Sequence, residues 1–165
     1  MSDAAAAYAS SGGTTTSGLT AIGAQDGDAV ITVTDAATVA QFNTIDGKTS
    51  SNVVLSGGIS DTAANLAPSG TASSGLTNAT TQDGDVAITI TGTNPTVAEL
   101  NKVASLTTGT VTATISETIS NLSSLSTAST DAITTTVTAA TSAAQFTTLD
   151  TKTSVDTAVT GGLSV

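Results

Sequence analysis

The 165-residue chain contains no cysteine, histidine, tryptophan or arginine, and it has only three lysines. Without histidine or cysteine it can build neither a Ser-His-Asp nor a Cys-His nucleophile system. It also lacks the usual ligands for zinc, copper, haem and iron–sulfur clusters. With so few basic side chains it cannot neutralise a nucleic-acid backbone, so we expect no nucleic-acid partner.

Acidic residues dominate the charged positions, and 13 aspartates and glutamates give a net charge of −10. Carboxylate and carbonyl oxygens are therefore the only metal ligands that the chain offers, and they suit calcium. No stretch of 18 apolar residues occurs, so we expect no membrane insertion. These features leave structural or binding roles as the main functional classes.

The most informative feature that is present is an internal repeat. Val33–Ser50 (VTDAATVAQFNTIDGKTS) returns 104 residues later as Val137–Ser154 (VTAATSAAQFTTLDTKTS). A second duplication relates Ser17–Thr34 to Ser74–Thr91, at an offset of 57 residues. Uninterrupted units are 22–24 residues long and alternate between two kinds. This period is typical of solenoid repeat proteins.

Each unit combines a strand pattern with a helix pattern. Runs such as Ala87–Ile90 are β-branched and alternate with period two, which predicts strands. Triplets such as Val39, Phe42 and Ile45 have a spacing of three, which places them on one helix face. The equivalent residue Phe146 is predicted to be a core residue as well. The Asn94-Pro95 pair is predicted to begin a helix as N-cap and first residue.

These patterns together predict the fold class. We expect an α/β repeat solenoid in which every 22–24-residue coil has a short parallel β-strand and a short helix. Residues 1–165 would form one domain of three odd/even coil pairs, with both ends inside an even coil.

The two ends carry complementary parts of an even coil. Ser2–Ala9 parallels Ser60–Ala67, the segment that follows the region matched by the C-terminus. We therefore expect the C-terminal strand of one molecule to be completed by the N-terminal helix of the next. The candidate interface residues are Ser2, Asp3, Ala5, Tyr8, Ala158, Val159, Leu163 and Val165.

The SDTAANL segment at Ser60–Leu66 carries a resemblance to a known group of proteins, with weaker echoes at Ser116–Leu122 and Ser2–Tyr8. It resembles the S-D-T-A-A-N-[IL] repeats of very large secreted surface proteins of marine and alphaproteobacterial bacteria. The resemblance implies an extracellular or cell-surface location, a structural role and no catalytic activity. The calcium-binding G-G-x-G-x-D nonapeptides that often accompany such proteins are missing here.

Two Asp-Gly-Asp turns are the candidate calcium sites. They contain the pairs Asp26 and Asp28, and Asp83 and Asp85, each just before a predicted strand. Two carboxylates could share one calcium ion with loop carbonyls. The alternative is a polar turn that ends a loop, and we favour it because no EF-hand-like ligand series is present.

No catalytic residue is predicted, although a pair of carboxylates can cleave a glycosidic bond. Glu99 and Glu117, the only glutamates, lie at predicted helix starts, where acids complement the helix dipole. The leading hypothesis is a structural subunit of an extracellular filament, whose partner is a further copy of itself. The alternative is a monomeric binding or spacer module of a large secreted adhesin, with calcium as a possible ligand.

Overall fold

The computed structural model describes residues 1–164, and within this range the chain is a mixed α/β protein with parallel sheets and eight α-helices. The predicted α/β class with short parallel strands is confirmed. The described strands form open sheets and no closed barrel.

Ten short strands are present in the described range, and five of them fall on the β-branched runs of the sequence. They are β1 (Ser2–Asp3), β2 (Thr32–Val33), β3 (Val54–Leu55), β4 (Ile59–Thr62), β5 (Ile88–Thr91), β6 (Val111–Glu117), β7 (Ala132–Val137), β8 (Thr141–Ser142), β9 (Ala158–Val159) and β10 (Leu163–Ser164).

The strands pair in parallel in three sheets, ordered β1-β2-β3, β4-β5-β6-β7-β9 and β8-β10. The same register occurs three times at positions that the sequence repeat relates. Asp3 lies opposite Val33, Asp61 opposite Ile90, and Glu117 opposite Val137. Residues that are equivalent in sequence therefore make equivalent pairings.

The helices have four, eight or nine residues, and their lengths run 4, 9, 8, 4, 9, 8, 4 and 8 along the chain. Single-turn helices follow β1, β4 and β6, whereas eight-residue helices come after β2, β5 and β8. The helices are α1 (Ala5–Tyr8), α2 (Ser17–Gln25), α3 (Val39–Asp46), α4 (Ala63–Leu66), α5 (Ser74–Gln82), α6 (Val97–Ala104), α7 (Ile119–Leu122) and α8 (Ala143–Asp150).

None of the helices in residues 1–164 is long and apolar enough to cross a bilayer.

One cluster of buried apolar side chains joins the strands to the helices. Ile88 and Ile133 contribute from the strands, and Phe42 and Leu100 from the helices; all four are fully buried. Burial of such side chains is the main favourable term in folding. The helix columns predicted from the spacing of three thus face this core at α3 and α6.

The eight-residue helices share one start signal. In α3, α6 and α8 a Ser or Thr N-cap and a Gln or Glu three residues later form a reciprocal capping box. The predicted N-cap at Asn94 is wrong, because Thr96 caps α6. The Asn94 side chain instead donates to the Ser116 carbonyl and accepts from the Ser116 backbone N–H.

A glycine is required where the chain steps from β3 to β4, and again from β9 to β10. A Cβ on Gly57 would lie 2.1 Å from the Asp35 carbonyl carbon, and one on Gly161 would lie 2.2 Å from that of Ala139. Real Cβ atoms do not approach backbone so closely, so only glycine allows these segments to pack. The two steps are equivalent in the sequence repeat.

Candidate functional site

Helix α3 is covered by neighbouring segments on two sides. On one side, Gln41 Nε2 donates to the Ala9 carbonyl oxygen at 2.9 Å. On the other side α5 approaches so closely that a Cβ on Gly75 would lie 2.3 Å from Val39 Cγ1. As a result Val39 is only 7% exposed and Phe42 is fully buried.

Strand β4, the second strand after α3, also contributes to its cover. Asp61 in β4 accepts a hydrogen bond from the Val39 backbone N–H at 3.1 Å, through Oδ2. Its Oδ1 accepts from the Thr62 N–H and from the Asn65 amide. An anionic oxygen at the N-terminus of a helix satisfies a free N–H and complements the helix dipole.

The end of α5 makes a second polar joint to the preceding segment. Gln82 Nε2 donates to the Asp46 carboxylate at the end of α3. Its Oε1 accepts from the Val53 backbone N–H at 2.8 Å. The α3–α5 contact therefore combines a close glycine approach with hydrogen bonds at its far end.

Helix α8 is the repeat counterpart of α3, but its surface is open. Ala143 and Gln145, which correspond to Val39 and Gln41, are exposed. Phe146, the counterpart of Phe42, is only partly buried and lines a cavity of about 310 Å³. In the described residues no helix covers α8 as α5 covers α3, so the predicted core position of Phe146 is not met within one chain.

Helix α2 shows the reverse situation at the other end. It is the counterpart of α5, and Gly18 corresponds to Gly75. A Cβ on Gly18 would meet only Thr16 Oγ1, at 3.9 Å. Gln25, the counterpart of Gln82, is exposed, and Met1 nearby is 59% exposed. The α3–α5 contact inside the chain therefore has one uncovered counterpart at each end, α2 at the N-terminal end and α8 at the C-terminal end.

The candidate interface residues at the N-terminal end fall into two groups. Ser2 and Asp3 are exposed and form β1, which pairs with β2 on one side only. Ala5 and Tyr8 are already buried in the same chain, at 1% and 2% exposure. Assembly would therefore bury Ser2 and Asp3 but would add little burial at Ala5 and Tyr8.

At the C-terminal end the candidate residues are mostly open. Ala158 is exposed and Val159 is partly buried in β9, while Leu163 in β10 is 67% exposed. Val165 lies outside the described residues.

The two end strands occupy the same place in the repeat. Ser2 in β1 pairs with β2 as Ser60 in β4 pairs with β5. Leu163 pairs with Thr141 as Ile59 bridges to Ala37. By register, Ser2 and Ser164 both correspond to Ser60. The N-terminal end therefore has the helices that would follow β10 in the repeat. The strand that corresponds to β4 is present at both ends, as β1 and as β10.

The Asp-Gly-Asp turns bring two carboxyl groups together. A hydrogen bond shared with the Asp28 carboxyl, and the charge of Asp28, raise the pKa of Asp26. Burial raises the pKa of Asp83, and the hydrogen bond and charge of Asp85 add to it. Among the described residues no three acidic side chains converge on one point. Any calcium ion there would depend on backbone carbonyls for most of its ligands.

Both glutamates have local hydrogen-bond partners. Glu99 closes the capping box with Thr96. Glu117 accepts from the Thr118 N–H and the Asn121 amide, and these bonds hold its pKa below the usual range. Their contacts stabilise helix starts and do not converge on a common cleft.

The sequence patterns do not predict helices α2 and α5, and so they assign no role to Gly18 at the N-terminal end face. The duplication of Ser17–Thr34 as Ser74–Thr91 contained the signal, because it relates an open helix to a covered one.

The geometry defines an α/β chain with parallel sheets whose two ends expose counterparts of packed interior helices. No protein-family model, curated protein or solved structure matches the chain. The resemblance of SDTAANL to bacterial surface repeats therefore stays a prediction.

Proposed function

We propose that this protein is a structural subunit of an extracellular filament and assembles head to tail with copies of itself. The observation that supports this proposal most is the contrast between α3 and α8. The same helix is buried between neighbours inside the chain and uncovered at its end.

The proposal includes a repeat solenoid, with residues 1–165 as one domain of three odd/even coil pairs. Two observations support it. The strand register at Asp3, Asp61 and Glu117 is the same. Helices of four, nine and eight residues also follow one another in the same order in α1–α3 and in α4–α6. In a solenoid each unit contacts only its neighbours, so the end units have uncovered faces.

The two uncovered faces differ from each other, and this favours a filament over a closed dimer. One face presents α2 and the edge of β1, and the other presents α8 and the edge of β10. A contact between two different faces is heterologous, and it produces an open chain when its rotation does not close. Unpaired strand edges are also known templates for further pairing.

The proposed location and the proposed absence of catalysis have separate support. An extracellular or cell-surface location follows from the SDTAANL resemblance alone. A non-catalytic role fits the local bonds of the two glutamates. Glu99 closes a capping box, and Glu117, which lines an open groove, is held by the Thr118 N–H and the Asn121 amide.

Electron microscopy of the pure protein tests the proposal. Negatively stained samples, with light scattering at increasing protein concentration, should show unbranched filaments of uniform width. Monomers at every concentration would contradict it and would favour the alternative, a spacer or binding module of a secreted adhesin. Calcium should be varied in both measurements, because that alternative includes calcium as a ligand.

A further inference from the structure

We infer that helix α2 of one copy docks on helix α8 of the next, in the arrangement that α5 adopts on α3 within the chain. This inference rests on the proposed head-to-tail assembly and names the residues of its joint. The chain itself supplies the template, since each partner of the internal contact has an open counterpart at one end.

The centre of the joint is the glycine of the docking helix. Inside the chain, a Cβ on Gly75 would lie 2.3 Å from Val39 Cγ1 and 2.6 Å from Asn43 Nδ2. Gly18 takes the place of Gly75, and the side chains that face it become Ala143 and Thr147. Both are exposed. Ala143 is smaller than Val39 and Thr147 is shorter than Asn43, so the second helix has room to approach.

The hydrogen bonds at both ends of the α3–α5 contact also have counterparts in α2, α8 and β1, where the corresponding side chains are exposed. Gln82 bonds to Asp46 in the chain, and the corresponding residues Gln25 and Asp150 are both exposed. Asp61 accepts from the first N–H of α3. Asp3, its counterpart, already bonds the Ala4 N–H through Oδ1, as Asp61 bonds that of Thr62. Its other oxygen is placed to accept from the first N–H of the neighbouring α8.

This arrangement requires an exchange of strands. The place beside β8 is held by β10, but the docked neighbour brings its own β1 to the same place. We assign that place to β1 because of the sequence repeat. Asp3 of β1 aligns with Asp61, whereas the tail residue that aligns with Asp61 is Val165, which has no acid group. The head strand is also the better anchored of the two. Met1 bonds to the Val30 carbonyl and the Thr32 N–H, while Leu163 is 67% exposed.

Cysteine cross-linking tests the joint directly, because the native chain has no cysteine. Gly18→Cys and Ala143→Cys variants are prepared separately, mixed and oxidised. We expect a covalent dimer in the mixture and little in either variant alone, since a disulfide requires Cβ atoms within about 4.5 Å. The matched control pairs Thr20→Cys with Ala143→Cys. Thr20 corresponds to Thr77, which stays exposed inside the chain, so this pair should not cross-link.

A blocking variant supplies the second readout. Gly18→Leu fills the open position and should abolish filaments, while circular dichroism and the melting temperature of the monomer stay unchanged. Deletion of residues 163–165 should preserve filament formation or accelerate it, because the displaced strand is gone.

The outcomes separate this inference from the proposed function. If the native protein forms no filaments, the proposed function fails. If native filaments form, persist in Gly18→Leu and give no cross-link, the filament stands and the α2–α8 joint is wrong. If the 163–165 deletion alone abolishes filaments, the strand exchange is wrong.

Discussion

Helices α3 and α8 have closely related sequences and different surroundings. Both begin with a capping box and carry an aromatic residue one turn into the helix. Phe42 in α3 is fully buried, whereas Phe146 in α8 is only partly buried. The difference teaches that burial in a repeat is determined by the neighbouring unit, because a single unit cannot cover its own apolar face.

The largest expected effect comes from truncation of the two aromatics. Phe42→Ala should destabilise the monomer by about 3–5 kcal/mol, the usual cost of removing a buried phenylalanine. Phe146→Ala should cost less than about half as much in the monomer, because its ring already contacts solvent. Denaturant unfolding at concentrations below assembly measures both. Equal losses for the two variants would mean that α8 is covered within one chain.

The glycines of α5 and α2 provide the second comparison. Gly75→Ala should destabilise by about 1–3 kcal/mol, because the new methyl group collides with Val39. Gly18→Ala should be neutral or stabilise by up to about 1 kcal/mol, since alanine suits an open helix position better than glycine. Thermal melts of both variants check this prediction. It fails if Gly18→Ala is as damaging as Gly75→Ala.

Asp61 in β4 and Glu117 in β6 also differ in how deeply they are buried. Asp61 is nearly buried and bonds three donors, so Asp61→Ala should cost about 1–3 kcal/mol. Glu117, its half-buried counterpart, bonds two donors and should matter less. Its lowered pKa means that its contribution is present at neutral pH and is lost as pH falls through the folded-state pKa. Melting curves of Glu117→Gln and native protein should therefore converge in acid, and a gap that widens in acid would contradict this.

Tyr8 carries a phenolic hydroxyl group, which its aliphatic counterpart Leu66 lacks. Among the described residues that buried oxygen has no hydrogen-bond partner. Tyr8→Phe should therefore be neutral or stabilise by up to about 1 kcal/mol, because an unpaired buried hydroxyl is costly. A clear loss in a chemical denaturation series would indicate that the hydroxyl has a partner after all.

The smallest effect is expected at the two Asp-Gly-Asp turns. Replacement of EDTA by excess calcium should shift the melting temperature by about 1–2 °C or less, because a strong site would stabilise by several kcal/mol through mass action. Asp83→Asn should be slightly more stable than the native protein at neutral pH, since the raised pKa of Asp83 reports a cost of its charged form. This advantage should disappear in acid. A large calcium-dependent rise in melting temperature would show that these turns bind calcium.

Some of the fold was predictable from the sequence because it depends on local signals. Strand β5 and most of β6 follow β-branched alternation, and the column of Val39, Phe42 and Ile45 indicates α3. The prediction that Glu117 lies at a helix start is wrong, because Glu117 is the last residue of β6. Helices α2 and α5 were missed, since glycine, threonine and asparagine are weak helix formers. Their helical state depends on packing, with Leu76 and Ala79 buried against the rest of the chain.

The candidate site was less predictable because it consists of helix faces that no neighbouring helix of the same chain covers. A sequence pattern marks a side chain as apolar but does not tell which copy of a repeat has a neighbour. The sequence predicts that the N-terminal helix in residues 2–9 completes the C-terminal strand of another molecule. The structure places Ala5 and Tyr8 inside their own chain, because the loop after α1 packs on α3. The shared register of β1 and β10 likewise required the strand pairings.

Hydrogen exchange of α3 and α8, followed as the protein assembles, tests the central claim most directly. In dilute monomer the amides of Val39–Asp46 should exchange slowly and those of Ala143–Asp150 quickly. In filaments the α8 amides should slow towards the α3 rates while α3 stays unchanged, because the neighbouring copy covers α8. Filaments in which α8 exchanges as fast as in the monomer would contradict the account.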